Sequence, residues 1–211
     1  MGFLVSSISI IGTGNMARAI GALAVAGGND VQIIGRDQAK AADLAKTLGS
    51  NASTGEFGTV PAGDIVVMAL LHTGIVPVVT EYGDNLAGKV IVDISNPFNA
   101  DADGLVIPED TSVAQEVAKV APSSSSVVKA FNTIFGVVLE KGRPLDVFLA
   151  GDDQPAKEKL SEFIATLGLR PLDVGGLSMA HWLEGAGLLV MGLARHGLGN
   201  FDFALGAAVP S

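Results

Sequence analysis

The sequence contains no cysteine, one tryptophan, one tyrosine and three histidines. The absence of cysteine excludes disulfides, thiolate metal centres and a cysteine nucleophile. The histidines, His72, His181 and His196, lie far apart in the chain, which speaks against a zinc site. Charge is also scarce: 17% of the 211 residues are charged against 48% hydrophobic. That balance is too apolar for a disordered chain and ill suited to a solvated helical bundle. Thirteen basic residues face twenty-two acidic ones, for a net charge of -9. A protein that tracks nucleic-acid phosphates carries the opposite sign, so no nucleic-acid partner is expected. Long hydrophobic runs are missing too. The stretch 65–80 is uncharged but holds His72, Gly74 and Pro77, and it falls short of the roughly 20 residues that cross a bilayer. The apolar N-terminal stretch lacks the basic region of a signal peptide and runs directly into glycines, so a cytoplasmic protein with no membrane partner is expected. The length accommodates one compact domain with room for a small appendage.

What the chain does have is a recurring pair of patterns. Short, nearly continuous apolar runs occupy 7–11, 31–34, 65–70, 90–94, 127–131 and 147–150. Strands buried on both faces of a parallel sheet read this way. Alanine-rich stretches suited to helices lie between them at 15–26, 38–48, 74–82 and 111–120. A helix at 154–167, an extended piece at 170–174 and a long helix at 178–197 follow. The alternation predicts an α/β fold, a Rossmann-type doubly wound parallel sheet with a C-terminal helical extension. The expected division is a dinucleotide-binding part over 1–151 and a small part over 152–211 that completes a cleft. Residues 96–108, with two prolines and several Asn and Asp, read as a long loop; polyserine 123–126 reads as a connection.

Chemistry concentrates at Gly12-Thr13-Gly14-Asn15-Met16-Ala17, a G-x-G-x-x-A that closes an apolar strand and opens an apolar helix. In that context Gly12 permits the tight turn, Gly14 leaves the approach to a pyrophosphate clear, and Ala17 lets the helix pack closely on the strand. The first helical N–H groups then point at the phosphates. An NAD enzyme places an acid at the end of the second strand; here Gly35-Arg36-Asp37 stands there instead. Arg36 offers a guanidinium fork for a 2′-phosphate, which favours NADP(H). Asp37 leaves an opening for NAD, since a shift of one residue would return a carboxylate to the ribose. Ligands in such sheets sit beyond the carboxyl ends of the strands. Leu70 and His72, Asn96 and Pro97, and Asn132 fall at three of those ends. His72 fits a proton donor or a pocket wall, with the wall favoured, and is the one weak catalytic candidate. Asn96 and Asn132 fit hydrogen bonds to a carboxamide or ribose, or equally the fixing of their own loops. Pro97 shapes its loop, and Met16 forms an apolar wall below the nicotinamide.

Taken in order, Gly12–Ala17, Asp93-Ile94-Ser95-Asn96-Pro97, Lys129-Ala130-Phe131-Asn132-Thr133, Ala150-Gly151-Asp152-Asp153 and Gly168-Leu169-Arg170-Pro171-Leu172-Asp173 resemble one family. It is that of the NADPH-dependent reductases of the deazaflavin coenzyme (factor 420), and the NADPH-binding domain of six-transmembrane ferric reductases is similar. The resemblance implies a Rossmann domain with a small C-terminal part closing a hydride-transfer cleft, NADPH as cofactor, a deazaflavin or flavin as co-substrate, and a homodimer. The chain departs from the family in reading Gly35-Arg36 where the family has Gly-Ser-Arg. A small-molecule acceptor, deazaflavin-, flavin- or quinone-like, is the expected partner. A small imine or pyrroline-type reductase shares the Gly-x-Gly-Asn-Met start, and a dinucleotide sensor without turnover is the non-enzymatic alternative. The apolar segment after Ser178, punctuated by Gly185, Gly187, Gly192, Gly197 and Gly199, is expected to be held by close packing and to supply a subunit contact. Arg195 in that segment could meet an anionic acceptor tail.

Overall fold

A computed structural model of the chain describes residues 6–208. The start of the N-terminal apolar stretch and the outer ends of the two expected spans, 1–5 and 209–211, lie outside the described residues. The chain alternates β1 (Ser7–Ile11), α1 (Asn15–Ala26), β2 (Asp30–Ile34), α2 (Gln38–Leu48), β3 (Ala52–Gly55), β4 (Ile65–Met68), α3 (His72–Tyr82) and β5 (Val90–Asp93). It continues through α4 (Val113–Val120), β6 (Ser126–Ala130), α5 (Gly136–Leu139), β7 (Asp146–Gly151), α6 (Gln154–Thr166), β8 (Arg170–Asp173) and α7 (Ala180–Gly192). The strands form one sheet in the order β3-β2-β1-β4-β5-β6-β7-β8. Every neighbouring pair is parallel except β6 and β7.

Both faces of the sheet are covered, which is why the central strands read as unbroken apolar runs rather than alternating ones. Ile8, Ile10, Ile33 and Val67 pack with Ile20, Phe163 and Leu160 on one side. Ile11, Ile34, Val66 and Met68 pack with Ile75, Val79, Tyr82 and Val117 on the other. The order reverses direction between β1 and β4, so the crevice at the carboxyl ends of those strands is the topological switch point of a doubly wound sheet.

Several expectations need correction. The strand β3 is added at the edge; its sequence Ala52-Ser53-Thr54-Gly55 carries no apolar run because only one neighbour covers it. Strand β4 ends at Met68, short of Leu70, and α3 starts at His72 rather than Gly74. Helix α4 starts at Val113, because Ser112 caps it by accepting a bond from the Gln115 N–H at 3.1 Å. Strand β6 is Ser126–Ala130, and Phe131 leaves the strand with φ 62°. The sheet is also not wholly parallel. A parallel return needs a crossover that spans the sheet, but the connection from β6 holds only the four-residue α5, so β7 starts from the same edge at which β6 ends.

The C-terminal helical extension is a composite: a 3-10 turn at Leu177–Met179, then α7, then a π-helical turn at Leu193–Gly197. The run Leu177–Gly197 is long and apolar enough, by length and composition, to cross a membrane. In this fold Leu183, Glu184, Gly187 and Val190 turn one face of α7 inward, while Trp182 and Leu189 stand 66% and 58% exposed on another. The chain then returns along the sheet. Phe201 and Phe203 set their rings edge-on to Phe135 at 5.1 and 6.0 Å. Arg170 grips Asp146 through two bonds of 2.6 and 2.7 Å, and Ala207 closes the clasp by donating its N–H to Asp146 at 2.7 Å.

Candidate active site

The glycine turn occupies the switch point. Gly12 adopts φ 135°, and a Cβ there would lie 2.2 Å from the Ala69 carbonyl oxygen, so no other residue can join β1 to the turn. The Gly12 N–H donates to Ile34 O at 2.8 Å, which ties the turn to the end of β2. Gly14 is the N-cap of α1, and no side chain among the described residues caps the helix. A Cβ at Gly14 would meet nothing within 4 Å of protein. The opening N–H groups of α1 are thus left for a ligand, and the space in front of them is clear, which is the arrangement a pyrophosphate requires. Asn15, exposed, begins the helix at that spot.

A cavity of about 450 Å³ lies on the β2 side of the turn, with Thr13, Arg36, Phe57 and Leu70 among its lining. Arg36 lies over the Phe57 ring at 5.2 Å and pairs with Glu81 at 3.2 Å. Its side chain is 68% exposed, so the guanidinium can exchange Glu81 for a ligand without leaving solvent. Asp37 has other employment. It caps α2, accepting from the Lys40 N–H at 3.1 Å, and that bond holds its carboxyl below the usual carboxylate range. The opening for NAD left by Asp37 in the sequence is therefore narrowed by a local reason: helix capping claims the acid.

A second cavity, about 260 Å³, lies on the other side of α1. It brings together Met16, Asn96, Asn132, Thr133 and Phe135 with Gly187, Val190 and Met191 of α7, and no charged residue lines it. The two asparagines hold each other: Asn96 Nδ2 donates to Asn132 O at 2.8 Å, and Asn132 Nδ2 donates to Asn96 Oδ1 at 2.9 Å. Asn132 also donates to the Leu183 carbonyl at 2.7 Å, which draws α7 to the pair. The Asn132 Oδ1 atom is buried without a partner among the described residues. Gly187 is where α7 comes closest, since a Cβ there would lie 2.6 Å from Asn96 Oδ1. Gly185 and Gly192, by contrast, meet nothing within 4 Å, so close packing explains only one of the three helical glycines.

Other sequence candidates lie elsewhere. His72 opens α3, half-buried, and lines neither cavity. Pro97 is buried, and its carbonyl accepts from the Val106 N–H at 2.8 Å across the 96–108 loop. Arg195 is turned onto the backbone carbonyls of Asp101 and Ala102, so its fork is engaged by the 96–108 loop. His181 Nδ1 is 2.8 Å from the Thr111 carbonyl.

Sequence reasoning missed a buried ionic cluster. Lys129 Nζ donates to Asp93 Oδ2 at 2.8 Å, to Ser95 O at 2.7 Å and to Glu184 Oε1 at 2.8 Å. All three charged side chains are fully buried. Glu184 Oε1 also accepts the Val113 N–H at 3.0 Å, whereas Oε2 has no partner among the described residues. Burial pushes the Glu184 carboxyl above its ordinary range, an effect the Lys129 ammonium opposes. A signal existed: Lys129 is the single charge in a buried strand, and Glu184 the single charge in an apolar helix.

Residues 7–97 match the family described as NADP oxidoreductase, coenzyme F420-dependent. The chain is 30% identical over 181 residues, 84% of its length, to the metalloreductase STEAP3 of Rattus norvegicus, and it spans 35% of that protein. It is 30% identical over 114 residues to the human metalloreductase STEAP2, of which it spans 22%. Among solved structures, a putative F420-dependent NADP-reductase from Arthrobacter sp. FB24 superposes with a TM-score of 0.84 at 24% identity, covering 96% of this chain and 99% of that one. A pyrroline-5-carboxylate reductase from Coxiella burnetii shares the fold at a TM-score of 0.60 and 18% identity, over 94% of this chain and 73% of that one.

Proposed function

We propose that this chain, whose residues 7–97 belong to the family of coenzyme F420-dependent NADP oxidoreductases, transfers hydride between NADP(H) and a deazaflavin-, flavin- or quinone-like acceptor. The observation that carries the reading is the pair of cavities flanking one uncapped helix start. In this reading the N–H groups after Gly14 hold the pyrophosphate, and Arg36 leaves Glu81 to grip the 2′-phosphate while Phe57 walls the adenosine side. Met16 forms the apolar floor on the other side, and the unpartnered Asn132 Oδ1 accepts from the carboxamide. The nicotinamide, when bound, supplies the hydride chemistry. The residues around it orient two rings and exclude water, and an uncharged cavity suits a flat, neutral acceptor ring. His72 opens α3 outside the lining of both cavities and takes no part in the transfer.

The proposal extends to a cytoplasmic homodimer joined through the exposed face of α7, where Trp182 and Leu189 stand out. The test is NADPH oxidation, followed by absorbance, against a panel of deazaflavin, flavin, quinone and cyclic imine. Turnover with the first three classes supports the reading. Turnover with the imine alone would assign the pyrroline-type alternative, and tight NADPH binding without turnover the sensor.

A further inference from the structure

We propose that Glu184 and Lys129 are positioning residues for hydride transfer: their buried bond sets the axial register of α7, and with it the gap between Gly187 and Asn96 in the acceptor cavity. The inference rests on the reading of that cavity as the acceptor's.

The argument starts from what α7 lacks. Helices take their register from side chains that interdigitate, but the stretch Gly185-Ala186-Gly187 presents almost none, and such a surface slides and rotates at little expense. Buried polar anchors then decide the register, as they do in helical assemblies. The Asn132 amide on the Leu183 carbonyl is a backbone tether, and Glu184 is the anchor supplied by a buried charged side chain of α7. It lies three residues before Gly187 on the same face, and its Oε1 is held from two elements at once, by Lys129 on β6 and the Val113 N–H opening α4. Lys129 is itself saturated: its three donors are spent on Asp93, Ser95 O and Glu184, so it has no alternative partner to drift toward.

The register matters because the site tolerates one residue at the gap. Any side chain at 187 would strike Asn96, whose amide is locked to Asn132. A slip of one residue offers Ala186 or Leu188 in its place. Burying two carboxylates around one ammonium gives little net stability against an apolar alternative, so the cluster is better explained by the geometry it imposes than by the energy it contributes.

Three variants separate positioning from the other roles open to a buried acid. Glu184→Gln keeps an amide oxygen for Lys129 and Val113, and places its nitrogen where the unpartnered Oε2 stood. Its turnover is expected within about three-fold of wild type. Glu184→Leu removes this anchor and is expected to lower kcat by about 10- to 100-fold while NADPH Kd changes far less, because the glycine turn and Arg36 belong to β1, α1 and β2 and only the carboxamide contact of Asn132 adjoins α7. Should the Leu variant not fold, Glu184→Asp retains the charge, shortens the link by one methylene and is expected to lower kcat by about ten-fold. Hydrogen exchange of the 180–192 amides is read in parallel and should quicken in the Leu and Asp variants only. A Gln variant as slow as the Leu or Asp variant would make Glu184 a proton donor and overturn the proposal. So would wild-type kcat in the Leu or Asp variant, or unchanged exchange along α7. If the wild type itself turns over no acceptor, the functional reading fails, and hydrogen exchange alone then decides whether Glu184 anchors α7.

Discussion

Replacing Arg36 by alanine should weaken NADPH selectively. A charge-assisted contact with the 2′-phosphate contributes about 1.5–3 kcal/mol. The guanidinium does not start free, however: it pairs with Glu81 at 3.2 Å, with both side chains more than half exposed. Exposed pairs of this kind are worth about 0.2–1 kcal/mol, and that contact is given up on binding. The net advantage is about 1–2 kcal/mol, so NADPH Kd should rise by about 5- to 30-fold in Arg36→Ala while NADH Kd stays within two-fold. The same reasoning gives a second, opposite expectation. Glu81→Gln removes the competitor and should tighten NADPH by about two- to five-fold. Calorimetric titration of both nucleotides at fixed ionic strength measures all three proteins. Equal Kd values for NADPH and NADH in the wild type would refute the assignment, and a Glu81→Gln variant that binds NADPH more weakly would refute the competition.

Gly14→Val should abolish NADPH binding and leave the apo melting temperature within about two degrees, because a Cβ there has no described protein atom within 4 Å and points into ligand space; normal binding would remove the pyrophosphate from that spot. His72→Ala should reduce kcat by less than about ten-fold, and a loss of 10²–10⁴ with a missing limb in the pH profile would make His72 a general acid. Trp182→Ser combined with Leu189→Ser should give a folded monomer by light scattering, and a persisting dimer would move the contact off α7. The Arg170 guanidinium holds the Asp146 carboxyl below its usual range. A lowered carboxyl pKa gives stability that is present above the unfolded value and lost as pH falls through the folded one. The clasp on Ala207 should therefore protect the 198–208 amides from exchange at neutral pH and release them in acid, below the ordinary aspartate value of about 3.9; full protection in strong acid would contradict this.

The glycine turn and the six apolar runs were legible because each is a local pattern: a strand buried on both faces must be apolar, and a turn that approaches phosphate must be small. Strand β3 was not legible, because an edge strand covered on one side needs no apolar run. The direction of β7 was hidden for a different reason. Its residues read alike whether it runs with β6 or against it, and only the connection through α5 decides. Asp37 reads as a ribose acid until the helix it caps is in place. Asp93, Lys129 and Glu184 are separated by 36 and 55 residues, so nothing local announces their meeting. The two lone charges in apolar segments were the available clue. Phe131, fully buried with φ 62° at the cavity of Asn96 and Asn132, is invisible to pattern reading, since only the finished fold can hold a bulky residue in the left-handed region.

The ends of the strand order carry a consequence for how this protein avoids its own kind. An open sheet exposes two rows of unpaired backbone groups, each a template for an unwanted strand. At one end lies β3, four small and polar residues long, ending in Gly55. At the other, Arg170 and Val174 donate inward to the Leu145 and Leu149 carbonyls, so position 171 between them faces outward, and proline stands there with no N–H to offer. Both rims are thus poor templates, one by brevity and one by a missing donor. Addition of a further strand is disfavoured at each rim, and contact between copies is left to side-chain surfaces such as the exposed face of α7, whose shape can be selective.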